Sequence, residues 1–249
     1  MLKISILTVC YNSGSTIKDA IESVVAQDYP NIEYIIVDGG SKDDTISIID
    51  TYRQHISQYV SEPDGGIYDA MNKAVKMATG DVIGLLNSDD FYEHNRVISD
   101  IVDCFDNQVD TDIVYGNISY VNQQDVDKVV RTVKSRPYYD TFFEDGEIVP
   151  HPTFFVRKLV YEQLGDYDLS FKFAADYEYT LRALKIHQFK AHYLNKFLVK
   201  MRMGGATTQS ISNVLKVNQE ILRAFKKNKL KAGIFFLTKR IYKKLAQFG

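Results

Sequence analysis

The sequence predicts an α/β protein with a mostly parallel central sheet, and two observations support this prediction. Apolar, β-branched runs alternate with amphipathic helical patterns through the first 90 of the 249 residues. Alternation of this kind produces parallel strands that are joined by right-handed helical crossovers. In addition, the predicted strands end abruptly in polar, acidic turns, and ligands of such sheets bind outside the carboxyl ends of the strands.

The first half of the chain supplies four strands and three helices. We predict strands at residues 4–9, 32–37, 59–61 and 82–86, and helices at about 17–25, 45–54 and 67–78. Thr16 and Asp19 have the spacing of a capping box before the first helix. Gly80 follows the third helix, in keeping with glycine beyond a helix C-terminus.

The second half is less regular. We predict a helix at about 96–105, a β-hairpin from 113–121 and 126–133, a strand at 151–156, a short helix near Leu159 and a helix that opens at about 174–182. Residues 135–149 show no periodicity, and a loop of that length inside a compact domain is usually functional.

The C-terminal stretch changes character. From Asn213 the pattern is helical, and from Arg223 onward every formally charged residue is Lys or Arg. Basic amphipathic helices are typical of membrane surfaces, so we expect residues 213–249 to contact an anionic membrane. The alternative is a pair of helices that pack on the body of the protein with solvated lysines.

Composition and missing motifs exclude several classes. A net charge of -2 argues against a nucleic-acid partner. The first βα turn lacks GxGxxG and no P-loop is present, which disfavours nicotinamide, flavin and P-loop enzymes. The two cysteines have no zinc-site spacing. Residues 1–9 are too short for a signal peptide and no apolar stretch reaches the roughly 18 residues of a membrane span, so a cytoplasmic location is expected.

The stretch Asn87-Ser88-Asp89-Asp90 follows the apolar run at 82–86. Taken alone it is typical of an acidic turn. However, further carboxylates follow other predicted elements at Asp38, Asp64 and Asp176. Carboxylates gathered at one edge of a sheet repel one another unless a cation or a donor-rich ligand lies there.

These motifs resemble those of the inverting family 2 glycosyltransferases, which have the GT-A fold. The resemblance runs from Ile4 to about Arg182 and rests on motifs in the family's order, at residues 8–12, 37–45, 62–73, 79–90, 151–154 and 175–178. It implies a GT-A catalytic domain at 1–208, with a nucleotide-sugar half at 1–122 and an acceptor half at 123–208. Basic amphipathic helices would follow at 209–249.

The resemblance also implies an activity. A sugar would move from a nucleotide-diphosphate donor, most simply a UDP-sugar, to a hydroxyl of a glycan acceptor carried on a lipid diphosphate. This chemistry is that of bacterial surface-polysaccharide or O-antigen (lipopolysaccharide) assembly, at the cytoplasmic face of the inner membrane. Two alternatives remain open: a polyprenyl-phosphate sugar synthase, and a non-catalytic scaffold that binds nucleotide or carbohydrate.

Donor-site roles carry over by position. The resemblance implies that the nucleotide pocket is formed by Thr8, Tyr11, Asn12, Asp38, Asp43 and Asp64, with the Tyr11 ring against the base and Asp38 accepting a hydrogen bond from it. Asn87-Ser88-Asp89 stands where the family has DxD, so Asp89 would hold Mn²⁺ or Mg²⁺. Asp90 would compensate for the missing carboxylate at Asn87 or brace the loop.

Acceptor-site roles follow in the same way. Asp176 would be the general base that deprotonates the acceptor hydroxyl, although a carboxylate at a helix N-terminus has a structural explanation too. Glu178 competes for that role but should project from another face of the helix. His151 would orient an acceptor hydroxyl, or be purely structural. Arg202 and the glycine-rich segment at 203–208 would cover the diphosphate.

Overall fold

A computed structural model of the chain describes residues 1–204 and 211–246. Its strands are β1 (Ile4–Cys10), β2 (Ile32–Asp38), β3 (Gln58–Ser61), β4 (Val82–Leu85), β5 (Asp90–Tyr92), β6 (Ile113–Val121), β7 (Val129–Val133), β8 (Phe155–Arg157) and β9 (Ala191–Arg202). Its helices are α1 (Ile17–Val25), α2 (Thr45–Thr51), α3 (Ile67–Met77), α4 (Val97–Asn107), α5 (Lys158–Leu164), α6 (Ala175–Leu181), α7 (Ile211–Lys227) and α8 (Phe236–Ala246).

The strands form one sheet whose order is β3-β2-β1-β4-β8-β6-β9-β5, with β7 paired to β6. The first four strands are parallel, as predicted. Beyond β4 the sheet is mixed, because β8 runs antiparallel to both β4 and β6 whereas β9 is parallel to β6. The predicted α/β class is confirmed. Asp38, Asp64 and Asp89 lie at or just after the carboxyl ends of strands in the parallel part.

Side chains alternate across β1 and therefore serve two core layers. Leu7 and Val9 pack on the side of α3, whereas Ile4, Ile6 and Cys10 pack on the side of α1 and α4. All seven residues of β1 are buried, which is the pattern of a central parallel strand. The cysteine is a buried free thiol.

Two predicted local features are wrong, and one strand was not predicted. Residues 151–153 form a 3₁₀ turn and not the start of a strand, since Pro152 cannot donate to a strand ladder. The capping box at α1 does not form: the Thr16 hydroxyl donates to the Ser13 carbonyl at 3.4 Å, and Asp19 pairs with Arg202. The twelve-residue strand β9 was not predicted, because its burial pattern is irregular.

The C-terminal helices join the core of the body. Ile221, Ala224, Phe225 and Phe236 belong to the same core cluster as Tyr177 of α6. The Phe225 and Phe236 ring centroids lie 5.0 Å apart, so α8 is held against α7. No helix within the described ranges is long and apolar enough to cross a membrane. Residues 247–249 of the predicted basic amphipathic helices lie outside those ranges.

A buried carboxylate ties the starts of three strands together. Glu33 of β2 accepts hydrogen bonds from the Lys3 ammonium at 2.8 Å, the Ser5 hydroxyl at 2.6 Å and the Thr79 amide at 2.7 Å. Burial alone would raise the pKa of Glu33, but these hydrogen bonds outweigh it and lower the pKa to about 2. The ionised carboxylate therefore stabilises the folded state.

We predict that Glu33→Gln lowers the free energy of unfolding at neutral pH by about 1–3 kcal/mol, the usual loss for charge-assisted hydrogen bonds. The folded pKa lies below the ordinary value of 4.5, so the contribution is complete above pH 4.5 and is lost as the pH falls toward about 2. Urea unfolding at several pH values measures it. The difference between variant and wild type should shrink below pH 4.5, whereas the exposed control Glu162→Gln should change little; a difference independent of pH would contradict the prediction.

Candidate active site

A cleft of about 830 Å³ opens at the carboxyl ends of the parallel strands. Segments after β1, β2, β3 and β4 line it, together with the end of β9 and the hairpin residue Gln123. Its lining includes the predicted residues Tyr11, Asn12, Asp64, Ser88, Asp89 and Arg202. The position agrees with the rule that ligands of such sheets bind beyond the strand ends.

One end of the cleft is a slot between an aromatic ring and a carboxylate. Tyr11 is 62% exposed there, and Asp64 is held by the Gly66 amide, which donates to its Oδ1 at 2.8 Å. A Cβ on Gly39 would lie 2.6 Å from Asp64 Oδ2 and 3.4 Å from the Tyr11 ring. Glycine is therefore required at 39 for these two side chains to approach each other. A flat heterocycle with an N–H group fits this pair of surfaces.

Asp38 lies elsewhere than predicted. It is completely buried and does not line the cleft. Its oxygens accept from the Gly40 amide at 3.1 Å, the Ser41 amide at 3.0 Å and the Ser61 hydroxyl at 2.6 Å, and also from the Ser41 hydroxyl. Although burial alone would raise it, these donors lower the pKa of Asp38. Its carboxylate shapes the loop after β2 and does not line the cleft.

Thr8 and Asp43 are likewise absent from the cleft lining. Thr8 is buried on the opposite face of β1, where its hydroxyl accepts from the Tyr34 hydroxyl at 3.1 Å. Asp43 accepts from the Thr45 amide at 3.1 Å and from the Gly14 amide at 2.9 Å, and its pKa is lowered by hydrogen bonds from Thr45 and Gly14. It joins two loops. These two residues support the pocket from behind instead of lining it.

Asn12 contributes to both the cleft and its frame. It adopts a left-handed conformation with φ of 49°, which asparagine tolerates better than most residues. Its backbone N–H donates to the Ser41 hydroxyl at 2.8 Å, and its side-chain Oδ1 accepts from the Lys42 backbone N–H at 2.8 Å. The loops after β1 and β2 are thereby fixed to each other.

The Asn87–Asp90 element divides the site. Ser88 and Asp89 line both the cleft and a second cavity, whereas Asn87 lines only the second. Asp90 lines neither: it is 1% exposed, and its Oδ2 accepts from the Asn87 amide group at 3.0 Å. Burial and the Asp89 charge raise the pKa of Asp90 well above its usual range. Asp90 therefore braces the loop from inside, and Asp89 is the carboxylate that faces the site.

The donor groups at this element fit a divalent cation shared with a diphosphate. Mg²⁺ is typically bound by one or two carboxylates together with substrate phosphates and water. Asp89 supplies one carboxylate at the junction of the two cavities. Within the ranges that the structure describes, no group of three or more His, Cys, Asp or Glu side chains is placed to hold a metal by itself. Most ligands of a cation here would come from the bound substrate.

Arg202, at the end of β9, locks this element in place. Its Nη1 donates to the Asp89 carbonyl at 2.7 Å, and its Nη2 pairs with Asp19 of α1. Its guanidinium carbon lies 4.9 Å from the centroid of the Phe91 ring. The cation is 7% exposed and lines both cavities, so it places positive charge beside Asp89. Residues 205–208 of the predicted glycine-rich segment lie outside the described ranges.

The second cavity measures about 450 Å³ and adjoins the cleft. Asp176, in the first turn of α6, lines it, and the Tyr68 hydroxyl donates to Asp176 Oδ1 at 3.1 Å. Burial and the charge of Asp176 raise the pKa of Tyr68 well above its usual range, so Tyr68 remains a donor. This contact fixes Oδ1 of a carboxylate that lines the cavity.

His151 lines the second cavity, whereas Glu178 does not. His151 lines the cavity, is buried, and its Nε2 lies 2.9 Å from the Tyr167 hydroxyl. Burial lowers the pKa of His151, so the ring is neutral at pH 7. Glu178 is fully buried away from the cavity, where it pairs with Arg182 at 3.2 Å and accepts from Asn228 at 3.1 Å.

Three residues that line or shape the site were not predicted from the sequence. Tyr68 belongs to a motif that was recognised, but nothing in the pattern assigned it a partner 108 positions away. Ser13 was missed as well; its hydroxyl lies 2.8 Å from that of Ser88 and joins the two strand-end loops across the cleft. Arg240 of α8 lines the second cavity. In the sequence it stands among other basic residues, and nothing distinguishes it from them.

The chain is similar in sequence to known glycosyltransferases. The family model for glycosyl transferase family 2 matches residues 5–164. An uncharacterized glycosyltransferase of Mycobacterium tuberculosis (strain H37Rv) is 32% identical over 185 residues, which are 72% of this chain and 68% of that protein. A PGL/p-HBAD biosynthesis glycosyltransferase of Mycobacterium bovis BCG is 23% identical over 226 residues, 88% of this chain and 82% of that protein.

Solved structures share the fold over nearly the whole chain. Residues 1–349 of S. aureus TarS in complex with UDP match with a TM-score of 0.68 and 20% identity, covering 98% of this chain and 72% of that one. The chain spans only 44% of a longer TarS structure. The mannosyltransferase PcManGT of Pyrobaculum calidifontis, in complex with GDP-Man and Mn²⁺, matches with a TM-score of 0.67 and 18% identity, covering 99% and 71%. These matches confirm the predicted GT-A fold.

Proposed function

This chain belongs to glycosyl transferase family 2, and we propose that it is a metal-dependent inverting transferase that uses a UDP-sugar and a lipid-linked glycan acceptor. The observation that carries the proposal is that Ser88, Asp89 and Arg202 line both the cleft and the second cavity. A donor in the cleft would therefore present its reactive end to an acceptor in the cavity. In-line attack between two such chambers inverts the anomeric carbon.

The cleft suits a nucleotide. The Tyr11 ring offers a face for stacking, and Asp64 an acceptor for a base or ribose donor, while Asn12, Asp38 and Asp43 keep the surrounding loops in register. Solved neighbours are complexes with UDP and with GDP-Man and Mn²⁺. We assign UDP because Asp64 can accept the ring N–H of uracil and because solved neighbours are complexes with UDP and UDP-GlcNAc.

Asp89 would hold Mn²⁺ or Mg²⁺ together with the donor diphosphate. A divalent cation supplies Lewis-acid stabilisation of the charge on the departing nucleotide. Arg202, fixed between Asp19 and the Asp89 carbonyl, adds a permanent positive charge at the same place. Asn87 lies on the acceptor side and orients a hydroxyl or a water.

Asp176 is the proposed general base. The Asp176 carboxylate accepts the proton of the acceptor hydroxyl. The hydroxyl oxygen attacks the anomeric carbon as the bond from that carbon to the nucleotide diphosphate breaks. The Tyr68 hydroxyl fixes the carboxylate, and neutral His151 lines the same cavity and orients the acceptor.

An exposed apolar surface lies at α8, the helix whose Arg240 lines the second cavity. Ile234 and Phe235, just before α8, are 93% and 68% exposed, and Ile241 and Tyr242 are 54% and 73% exposed. The exposed Lys231 and Lys239 lie among them in the sequence. We propose that this surface rests on the anionic cytoplasmic face of a bacterial inner membrane, where a lipid-diphosphate acceptor for surface polysaccharide or O-antigen would be presented.

Replacing Asp176 tests the reaction. Asp176→Asn should lower kcat by about 10²–10⁴-fold, the usual contribution of positioned proton transfer, while UDP-sugar affinity is retained. Transfer assays and calorimetry measure the two quantities. Asp166→Asn, a surface charge paired with Lys76, is the matched control. Turnover that survives Asp176→Asn would favour the polyprenyl-phosphate sugar synthase, whose phosphate acceptor needs no base. Absence of UDP binding in the wild type would favour a scaffold that binds carbohydrate.

Replacing Asp89 tests the metal. Asp89→Asn should weaken UDP binding in Mn²⁺ by about tenfold or more, because removing even an outer partner of a metal costs 10–100-fold. Binding in EDTA should be alike for both proteins. Asp90→Asn is the control, since Asp90 does not line the cleft. A Mn²⁺ response lost in Asp90→Asn and kept in Asp89→Asn would transfer the ligand role to Asp90.

The membrane surface has its own test. The double variant Ile234→Glu/Phe235→Glu should remove binding to anionic phosphatidylglycerol vesicles in a sedimentation assay, since each side chain contributes about 1.5–3 kcal/mol when buried. The control Val109→Glu/Leu159→Glu introduces the same two charges at other apolar residues, which are 80% and 46% exposed, and should leave binding unchanged. Equal binding by the double variant and the wild type would show that this surface does not meet the membrane.

A further inference from the structure

Helix α8 forms part of the wall of the acceptor cavity. Phe236 is 1% exposed in the core, and Lys239 pairs with Asp145 at 2.7 Å. Gly146, with φ of +79°, lets the loop approach so closely that a Cβ there would lie 3.0 Å from the Arg240 amide nitrogen. Contacts on both sides of Arg240 thus fix the helix, and Arg240 lines the cavity that contains Asp176.

The Arg240 guanidinium is incompletely satisfied. Its carbon lies 5.6 Å from the centroid of the Tyr177 ring, and its Nη1 is buried with no hydrogen-bond partner among the described residues. Burial lowers the pKa of Arg240, which marks the cost of holding this cation inside, and the Asp176 charge only partly offsets it. A buried charged donor without a partner is costly, so such a group usually serves a ligand.

The cavity as a whole has a surplus of positive charge. Its lining includes the cations Arg131, Lys172, Arg202 and Arg240, against two carboxylates, Asp89 and Asp176. With Arg202 paired to Asp19, three cations remain for these two carboxylates. Apolar side chains, among them Ile148, Phe173 and Ile221, make up much of the rest. This combination suits a ligand with an anionic group next to an apolar or sugar portion.

We propose that Arg240 binds a phosphate group of the acceptor, so that α8 completes the acceptor site and selects acceptors that carry phosphate. The inference rests on the proposed transferase function, in which this cavity receives the acceptor. A guanidinium presents paired N–H donors that match two phosphate oxygens, and the unpartnered Nη1 supplies such a donor. Phosphate is favoured over carboxylate because a second negative charge is matched by the surplus of cations.

Binding of paired probes tests this assignment in the full-length protein with UDP and Mn²⁺ present, so that the donor cleft is filled. The probes are farnesyl phosphate against farnesol and glucose 1-phosphate against glucose, which separate a lipid phosphate from a soluble sugar phosphate. In the wild type, at least one phosphorylated probe should bind tenfold or more tightly than its neutral counterpart. Arg240→Gln should remove that preference and Arg240→Lys should keep part of it. Lys226→Gln, which removes an exposed cation of α7, should keep all of it.

The results separate this inference from the function on which it rests. Failure of the wild type to bind UDP would refute the proposed transferase, whereas normal UDP binding without any phosphate preference would refute the role of Arg240 alone. A preference that persists in Arg240→Gln would also overturn it. If Arg240→Gln does not fold, Arg240→Lys decides: the full preference in that variant, with its guanidinium removed, counts against the assignment.

Discussion

Mutual repulsion among carboxylates at one edge of the sheet is the constraint on which the site depends. Six acidic side chains follow strand ends or begin a helix there, at Asp38, Asp43, Asp64, Asp89, Asp90 and Asp176. Asp38 and Asp43 are satisfied by amides and hydroxyls of their own loops. Asp90 is removed from the cavities by burial. Asp64, Asp89 and Asp176 are left to face a ligand, and these three line the cleft or the cavity beside it.

Arg202 makes the close approach of Asp89 and Asp90 tolerable. Its guanidinium joins α1, through Asp19, to the carbonyl of Asp89, so a single cation connects the parallel half of the sheet to the mixed half. Strand β9, which delivers it, pairs with β6 on one side and with the short β5 on the other. The fold thereby places a fixed positive charge where a donor diphosphate and its leaving charge would lie.

The C-terminal helices combine two surfaces that a sequence pattern treats as alternatives. Their inner face packs into the core through Phe225 and Phe236 and brings Arg240 to the acceptor cavity. Tyr242 of α8 and the two residues just before this helix, Ile234 and Phe235, remain exposed. A helix placed in this way can position an acceptor headgroup and meet the surface from which that acceptor comes, because its two faces are 180° apart.

The sequence by itself determined the α/β class, the parallel direction of β1 to β4 and the acidic residues at strand ends, because strand periodicity and turn chemistry are local properties. It also placed Tyr11, Asp64, Asp89 and Asp176 in a site, since strand ends converge wherever a parallel sheet forms. Only the tertiary structure decided that Asp38 and Thr8 turn away, that Asp90 is buried and that Tyr68 holds Asp176. Tertiary contacts decide which carboxylate oxygens already accept hydrogen bonds and which side chains lie close together. These contacts join residues up to 183 positions apart, as for Asp19 and Arg202. Local patterns carry no information about such contacts, so the division between framework and ligand-facing residues appears only after the chain has folded.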